Sequence, residues 1–231
     1  MCPYQLSSQA RVCVTQHGTV FLDVTHGSYL GIDPHQSRAL AGLVADWPDS
    51  GATGKAPQES TRDLIEVLSE RGLLVSASGE QAIHPTTTLP PPRAELIAWD
   101  EMRCPPIRPS HVIAFLRSLL IGLIMLRCRT FAASVARYEE RAAARTFDLS
   151  EASRLVSMYQ YLRTWVFARR GRCLLDSLVL LEFLATFGIH PRWVIGVQVR
   201  PFAAHAWLQH EDLLLNATPA FVRPYSPILI V

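Results

Sequence analysis

Short runs of alternating apolar and polar positions near the start of the chain have the period of two that is typical of strands. β-Branched residues cluster at 11–15 and 19–24, and His17–Gly18 between them predicts a turn. A third strand is predicted at 28–32 and a short fourth one at 73–76. These segments indicate a small antiparallel sheet at the N-terminal end of the protein.

Two helices are predicted within the same region. Asp33 is a predicted N-cap with Pro34 at the first helical position, and this helix is expected to stop before Pro48. The second helix begins near Ser60 and ends at Gly72. The apolar positions follow helical spacing, at Leu40, Leu43, Val44 and Trp47 in the first helix and Leu64, Ile65, Val67 and Leu68 in the second. The order of elements predicts a small α+β module that is close to a winged helix.

A segment rich in Pro and Thr divides the chain. Residues 81–93 contain three consecutive threonines and three consecutive prolines, which predict a linker between a domain at 1–80 and another at 94–231. The second domain begins with predicted helices at about 110–128, 130–146 and 150–166. The run 112–126 is the most apolar in the chain, but Arg117 interrupts it, so a buried or amphipathic helix is favoured over a membrane span.

The last sixty residues predict a buried helix followed by strands. Residues 173–187 are apolar on nearly every side, as in a helix at the centre of a domain, and Gly188 is the expected residue after its end. Strands are predicted at 192–199, 202–209 and 213–217. The overall expectation is therefore an α+β protein with two domains.

Composition and charge narrow the class of protein. Apolar residues make up 49% of the 231 residues and charged residues 18%, which suits a globular chain with a sizeable core. Residues 1–80 have five basic and nine acidic residues, a net charge of −4, which disfavours binding of nucleic acid there. The five cysteines are far apart and form no Cys/His cluster, so neither a metal site nor a disulfide framework is expected. With no signal peptide evident at the N-terminus, a cytoplasmic location is expected.

One cysteine and one histidine stand out as candidates for chemistry. Cys173 is predicted in the first turn of the buried helix, after Arg169, Arg170 and Arg172, and both features favour a thiolate. His205 lies on a following strand, from which an imidazole could act as the base of such a thiol. The alternative is structural, because a cysteine beside an apolar helix is often a small core residue and a strand histidine often has no catalytic role.

The residues around this pair resemble a known family. The stretch 173–178 (CLLDSL), then 188–191 (GIHP) and 204–208 (AHAWL), is similar to the lasso-peptide maturation proteases called B proteins. The closing Leu215–Asn216 and the segment 225–228 are similar as well. Residues 1–80 resemble the precursor-recognition domain of pathways for ribosomally made, modified peptides.

The resemblance implies a fold, an activity and partners. The fold would be a winged-helix-like recognition domain followed by a papain- or transglutaminase-like cysteine protease domain. The activity would be ATP-assisted removal of the leader from a precursor peptide, before an asparagine-synthetase-like cyclase closes the ring. No covalently bound cofactor is implied. Gly51 and Gly54–Lys55 do not form a phosphate-binding GxxxxGK[ST] loop, so an ATP site would lie elsewhere in the chain or in the partner.

The sequence departs from the family at the third catalytic position. The family has an Asp twelve residues after the histidine, where this chain has Ala217. Asn216 is a candidate to orient His205 through its amide carbonyl, and Asp212 is a second candidate that is predicted in a turn. A Cys–His pair without an orienting residue is the remaining alternative.

For the N-terminal domain, we expect a leader segment to add as a strand at 28–32 and to pack against the helix that begins near Ser60. The residues proposed to contact the leader are Tyr29, Leu30 and Ile32 on the strand and Leu64, Val67, Leu68 and Arg71 on the helix. The competing interpretation of the Leu, Ile and Val residues is that they form the core. Two other functions stay open, a transglutaminase-like acyl transferase and a non-catalytic winged-helix protein that binds peptide or DNA.

Overall fold

The computed structural model describes residues 2–45, 47–48, 58–77, 89–96, 106–128, 131–141, 147–166 and 172–231. The chain forms two compact units. The first comprises residues 1–86 with 197–203 and 226–228, and the second comprises 87–196, 204–225 and 229–231. The greater part of the predicted linker, 81–88, lies outside the described residues.

The first unit contains an antiparallel sheet with the strand order β2-β3-β4. Its strands are β2 (Ala10–Thr15), β3 (Gly18–Asp23) and β4 (Ser28–Ile32), so the three strands predicted here are confirmed. β3 is the central strand and is buried along its whole length, whereas β4 is an edge strand. Such an edge has backbone groups without a strand neighbour on one side, which another chain could pair with.

This unit contains a second sheet, of which only one strand was predicted, at 73–76. β1 (Tyr4–Leu6) pairs in parallel with β5 (Val44–Ala45) and antiparallel with β6 (Leu74–Ser76). The predicted helix through position 47 is therefore wrong in its second half. Helix α1 (Pro34–Ala41) ends at Gly42, and Val44 instead pairs with Tyr4.

The start of α1 and the end of helix α2 agree with the sequence pattern, whereas α2 begins two residues before the predicted Ser60. Asp33 caps α1 by accepting hydrogen bonds from the His35 and Gln36 N–H groups, and the Gln36 side chain completes a capping box. α2 (Gln58–Glu70) is followed by Gly72, which has the left-handed φ of +67° expected after a helix. The core of this unit is formed by Leu6, Ala10, Phe21, Ile32, Leu40, Val44, Leu64, Leu68, Leu73 and Leu74. Whether this unit is a winged helix stays a prediction.

The second unit begins with helices that surround a buried one. The three predicted helices are confirmed as α3 (Pro109–Cys128), α4 (Phe131–Arg141) and α5 (Leu149–Arg163), while residues 142–146 lie outside the described part of the chain. α6 (Cys173–Ala185) is the buried helix, and eight of its apolar or small side chains are fully enclosed. α3 packs closely on α6, because Gly122 leaves no room for a Cβ atom beside Val179 and Leu175.

A sheet with the strand order β11-β8-β9-β10-β7 packs with these helices. β8 (Arg192–Gln198) and β9 (Ala203–His210) follow the predicted strands, whereas β10 (Leu213–Leu214) is shorter than predicted. The short helix α7 (Pro219–Val222) and the outer strands β7 (Ala94–Glu95) and β11 (Ser226–Ile230) were not predicted. Since β7 is only two residues long, its pairing with β10 depends on tertiary contact.

The outward face of α3 is apolar. Ile113, Leu116 and Leu120 are each more than half exposed, while Phe115 and Met125 on the other side are buried. By length and composition, 109–127 is apolar enough to cross a bilayer, with a mean hydropathy of 1.8, and a third of it is buried in the protein. A core helix of a soluble protein can satisfy the same criterion.

Candidate active site

Cys173 is the first residue of α6, as the sequence predicted. The preceding Arg172 is the N-cap, is exposed, and makes no side-chain hydrogen bond to the first turn. Cys173 itself is a half-buried free thiol. The backbone N–H groups of this turn point out of the helix start, where they can stabilise a thiolate or an oxyanion. Arg169 and Arg170 lie outside the described residues.

A buried carboxylate follows Cys173 by three residues. The Tyr159 hydroxyl lies 2.8 Å from Asp176 Oδ1 and 2.9 Å from the Asp176 main-chain oxygen. Arg163 forms an ion pair with Asp176 Oδ2 at 3.1 Å. Burial raises the pKa of Asp176, and the Arg163 charge and the Tyr159 hydrogen bond oppose that rise. Burial, with the nearby Asp176 charge, holds the pKa of Tyr159 well above its ordinary range.

A second cluster of the same kind lies further along α6. The Tyr138 hydroxyl donates to the Glu182 carboxylate at 2.9 Å, and Arg137 pairs with it at 3.3 Å. We call the group formed by Tyr159, Arg163 and Asp176 the first-turn cluster, and the group formed by Arg137, Tyr138 and Glu182 the distal cluster. α6 is thus tied to α5 near its start and to α4 near its end.

His205 lies on β9 among aromatic side chains. Its ring centroid is 4.9 Å from that of Phe221, 5.6 Å from that of Tyr225 and 5.9 Å from that of Trp207. Burial lowers the pKa of His205, since the charged imidazolium is disfavoured in this environment. Its Nε2 atom is buried and has no hydrogen-bond partner, including Cys173 Sγ, within the described part of the chain.

The two faces of the sheet separate the contacts of α6 from those of His205. Trp193 Nε1 donates to Ser177 Oγ at 3.0 Å, so the face of β8 that carries Trp193 packs against α6. Gly196 lies on the opposite face, where a Cβ atom would be 2.6 Å from the Trp207 ring. His205 shares this face, because it is two residues from Trp207 along the same strand. The structure therefore does not show Cys173 and His205 as a hydrogen-bonded pair, although catalytic hydrogen bonds are often long before substrate binds.

None of the candidates for the orienting residue is bonded to His205. The Asn216 Oδ1 atom accepts a hydrogen bond from the Leu208 N–H at 2.8 Å. Asp212 lies in the turn between β9 and β10, as predicted, and its main-chain oxygen accepts from the Arg93 N–H. Ala217 packs against an apolar cluster that includes Trp207. The side chains that surround the His205 ring are therefore aromatic.

Several residues of the site were missed by sequence reasoning. The first-turn and distal clusters each had a signal, because Asp176 and Glu182 are carboxylates in a helix that was predicted to be buried on all sides, and such groups need partners. Nothing in the local pattern names those partners. Phe221 and Tyr225 had no comparable signal, since only the fold brings them to His205.

The residues predicted to contact a leader divide into two groups. Ile32, Leu64 and Leu68 are buried in the core of the first unit, and Leu30 is half-buried against it. Tyr29 on the edge strand is half-buried and packs its ring on Phe202 at 5.6 Å, while Val67 and Arg71 are exposed on and just after α2. A bound strand could therefore contact the second group without disturbing the core. In the described residues, no three or more His, Cys, Asp or Glu side chains are grouped in a way that could hold a metal ion.

A comparison with models of protein families identifies the superfamily of this chain. The family model described as the transglutaminase-like superfamily matches residues 115–230, which include α6, β8, β9 and the positions of Cys173 and His205. The chain belongs to this superfamily, whose members are typically cysteine-dependent enzymes. The search of curated proteins and the search of solved structures each found no match.

Proposed function

We propose that this protein is a cysteine peptidase that removes the leader from a ribosomally made precursor of a lasso peptide. The observation that carries the proposal is the placement of Cys173 at the uncapped start of a buried helix in a transglutaminase-like domain. The stretches 173–178, 188–191 and 204–208, which resemble those of the lasso-peptide B proteins, support a lasso-peptide precursor as the substrate. The first unit supports it as well, because the edge strand β4 can accept an extended peptide.

The proposed reaction is acyl transfer to the thiol followed by hydrolysis. His205 accepts the proton of Cys173, and the sulfur attacks the carbonyl carbon of the peptide bond at the end of the leader. First-turn N–H groups of α6 hold the developing oxyanion, and the imidazolium returns the proton to the departing amine. Water then hydrolyses the thioester, which frees the leader as a carboxylic acid and restores the thiol. This scheme requires His205 and Cys173 to approach each other when substrate binds.

His205 acts in this proposal without an orienting carboxylate. Asn216 accepts a hydrogen bond from the Leu208 N–H, and Ala217 stands where the resembled family has an Asp. The proposal is therefore a Cys–His dyad. The surrounding rings of Phe221, Tyr225 and Trp207 would hold the imidazole by packing.

The partners follow from the reaction. The freed amine of the core peptide is the group that a separate asparagine-synthetase-like cyclase would join to a carboxylate side chain. We assign any ATP requirement to that partner, and no step of the proposed hydrolysis uses a nucleotide. Recognition of the leader is proposed at Tyr29, Val67 and Arg71.

The test is cleavage of a precursor peptide by the full chain, followed by mass spectrometry. We expect Cys173→Ala to abolish cleavage and to leave leader binding intact, because the thiol is remote from the edge strand in sequence and is not part of the first unit. Cys2→Ser is the matched control, since Cys2 is also a half-buried free thiol. Full cleavage by Cys173→Ala would overturn the mechanism.

The same experiment separates the competing activities. A free leader carboxylate supports hydrolysis, whereas a product that has lost ammonia and gained a covalent link to an amine identifies a transglutaminase-like acyl transferase. If no product forms but duplex DNA is bound in a gel-shift assay, the peptidase proposal is wrong and a non-catalytic binding protein is correct.

A further inference from the structure

The thiol of Cys173 is carried by a single hydrogen-bonded turn. The Asp176 N–H donates to the Arg172 main-chain oxygen at 2.9 Å, so this bond encloses Cys173 and the two residues after it. Any group that fixes Asp176 in place therefore fixes the far end of the turn that carries the thiol. Residues three apart also lie on the same side of a helix, so Asp176 is on the side of Cys173.

The first-turn cluster fixes both the backbone and the side chain of Asp176. Tyr159 is fully buried, and its hydroxyl lies within hydrogen-bond distance of the main-chain oxygen and of one carboxylate oxygen of Asp176. Arg163 holds the other carboxylate oxygen, and its second nitrogen donates to Gln160 Oε1 at 2.9 Å. The guanidinium is thus itself held in place on α5, which makes the cluster a rigid support.

A buried cluster of this kind adds little net free energy to the stability of a fold, which suggests that its geometry serves another purpose. A buried ion pair loses the hydration of both charges, and apolar residues of similar volume often stabilise a fold as well or better. α6 nevertheless carries two of these clusters within its apolar sequence. The distal cluster is nine residues from Cys173, so it provides an internal comparison for the one that is three residues away.

We propose that Tyr159, Arg163 and Asp176 are positioning residues that hold the first turn of α6 in the geometry in which its N–H groups stabilise the Cys173 thiolate. The inference rests on the proposed function in one respect, which is that Cys173 is the reactive group. It assigns the first-turn cluster a role in reactivity and leaves the distal cluster with a role in stability alone.

Within the described residues, which leave out 167–171, few other charges face this turn. Arg172 and Asp176 belong to α6 itself, and Tyr159 and Arg163 come from α5. α3, which packs on α6 at Gly122, has only Arg117 and Arg127 as charged residues, and both are exposed. The residue of β8 that bonds to α6 is the uncharged Trp193. Arg137 of α4 belongs to the distal cluster, and β9 carries the proposed base His205. Tyr159→Phe removes no ionised side chain from this group, but it does remove a hydrogen bond that lowers the pKa of Asp176.

The experiment measures the rate at which iodoacetamide alkylates Cys173 as a function of pH, with the modified peptide quantified by mass spectrometry. We expect Tyr159→Phe to raise the pH of half-maximal reactivity by about 0.2–0.7 units, the size of a helix-terminus effect. Tyr138→Phe is the matched control, because it removes the corresponding hydroxyl from the distal cluster, and it should leave this pH unchanged. Both variants should lower the melting temperature by about 2–4 °C.

A second pair of variants tests the ion pair. Arg163→Met should raise the pH of half-maximal reactivity and lower kcat without changing KM, and Arg163→Lys should restore part of both because it returns the charge. If Arg163→Met does not fold, Tyr159→Phe alone decides the question, since it removes only one oxygen atom.

Two outcomes would overturn the inference. One is an unchanged pH of half-maximal reactivity in Tyr159→Phe, and the other is an equal shift in Tyr138→Phe. Because alkylation needs no peptide substrate, these results can be obtained whether or not the protein cleaves a leader. If Cys173→Ala still cleaves the precursor, the proposed function fails while the alkylation comparison still decides the role of the cluster.

Discussion

At the scale of single residues, His205 departs most from what its sequence context predicts. Its buried Nε2 atom has no hydrogen-bond partner in the described part of the chain, and its neighbours are aromatic rings. In proteases with a catalytic triad, the ring nitrogen that does not face the nucleophile is oriented by a carboxylate or an amide. An imidazole without such a partner is a weaker base, because burial disfavours its protonated form.

Ala217→Asp tests this directly. In the wild-type protein, the midpoint of the His205 imidazole titration in an NMR experiment should lie below the ordinary pKa of about 6.5, since burial lowers this pKa. A carboxylate at 217 should raise the midpoint and increase the cleavage rate, by about tenfold or more if orientation limits the reaction. Ala217→Asn is the control for shape without charge. If the midpoint rises but the rate does not, orientation of His205 is not limiting and the dyad is sufficient.

At the scale of elements, close packing decides where glycine is required. Gly196 on β8 lies under the indole of Trp207, and a Cβ atom there would be 2.6 Å and 2.7 Å from two ring carbons and 2.9 Å from the Tyr225 Cβ. The same two aromatic residues contact His205, so this contact connects β8 to His205 on β9. A tryptophan ring in a packed core has little freedom to move away.

We expect Gly196→Ala to destabilise the protein by about 1–3 kcal/mol, because overpacking forces side chains or backbone to shift. The melting temperature should fall by about 2–4 °C for each kcal/mol, as measured by differential scanning calorimetry. Gly31→Ala on β4 is the matched control, since no atom lies within 4 Å of its added Cβ. Equal melting temperatures for the two variants would contradict the packing argument.

At the scale of the whole molecule, the two compact units are not separated at a single point of the sequence. Residues 197–203 and 226–228 belong to the first unit although they follow α6 in the sequence. Phe202 packs on Tyr29 for this reason. The strand β4 and these two short C-terminal segments are consequently parts of one compact unit.

Binding of a fluorescent leader peptide tests the role proposed for the edge strand. Tyr29→Ala should weaken binding by about tenfold or more, because an aromatic anchor at the centre of an interface contributes about 1.4 kcal/mol or more. It should leave the pH of half-maximal alkylation of Cys173 unchanged. Tyr161→Ala, which changes an exposed tyrosine on α5, is the control. Unchanged affinity in Tyr29→Ala would exclude β4 as the docking strand, provided that its melting temperature is close to that of the wild type.

The sequence by itself determined the local structure, which is the secondary structure and the caps of the helices. The strands β2 to β4, the Asp33 cap, the helices α3 to α6 and the position of Cys173 at a helix start all follow from periodicity, caps and turn residues over a few neighbours. Tertiary structure decided the rest. It made Val44 a strand partner of Tyr4 instead of a helical residue, gave Asp176 its partners on α5, and placed His205 on the face of the sheet opposite to the one that contacts α6. These outcomes join residues far apart in the chain, and no local pattern encodes such pairings because their energy arises only when packing brings the side chains together.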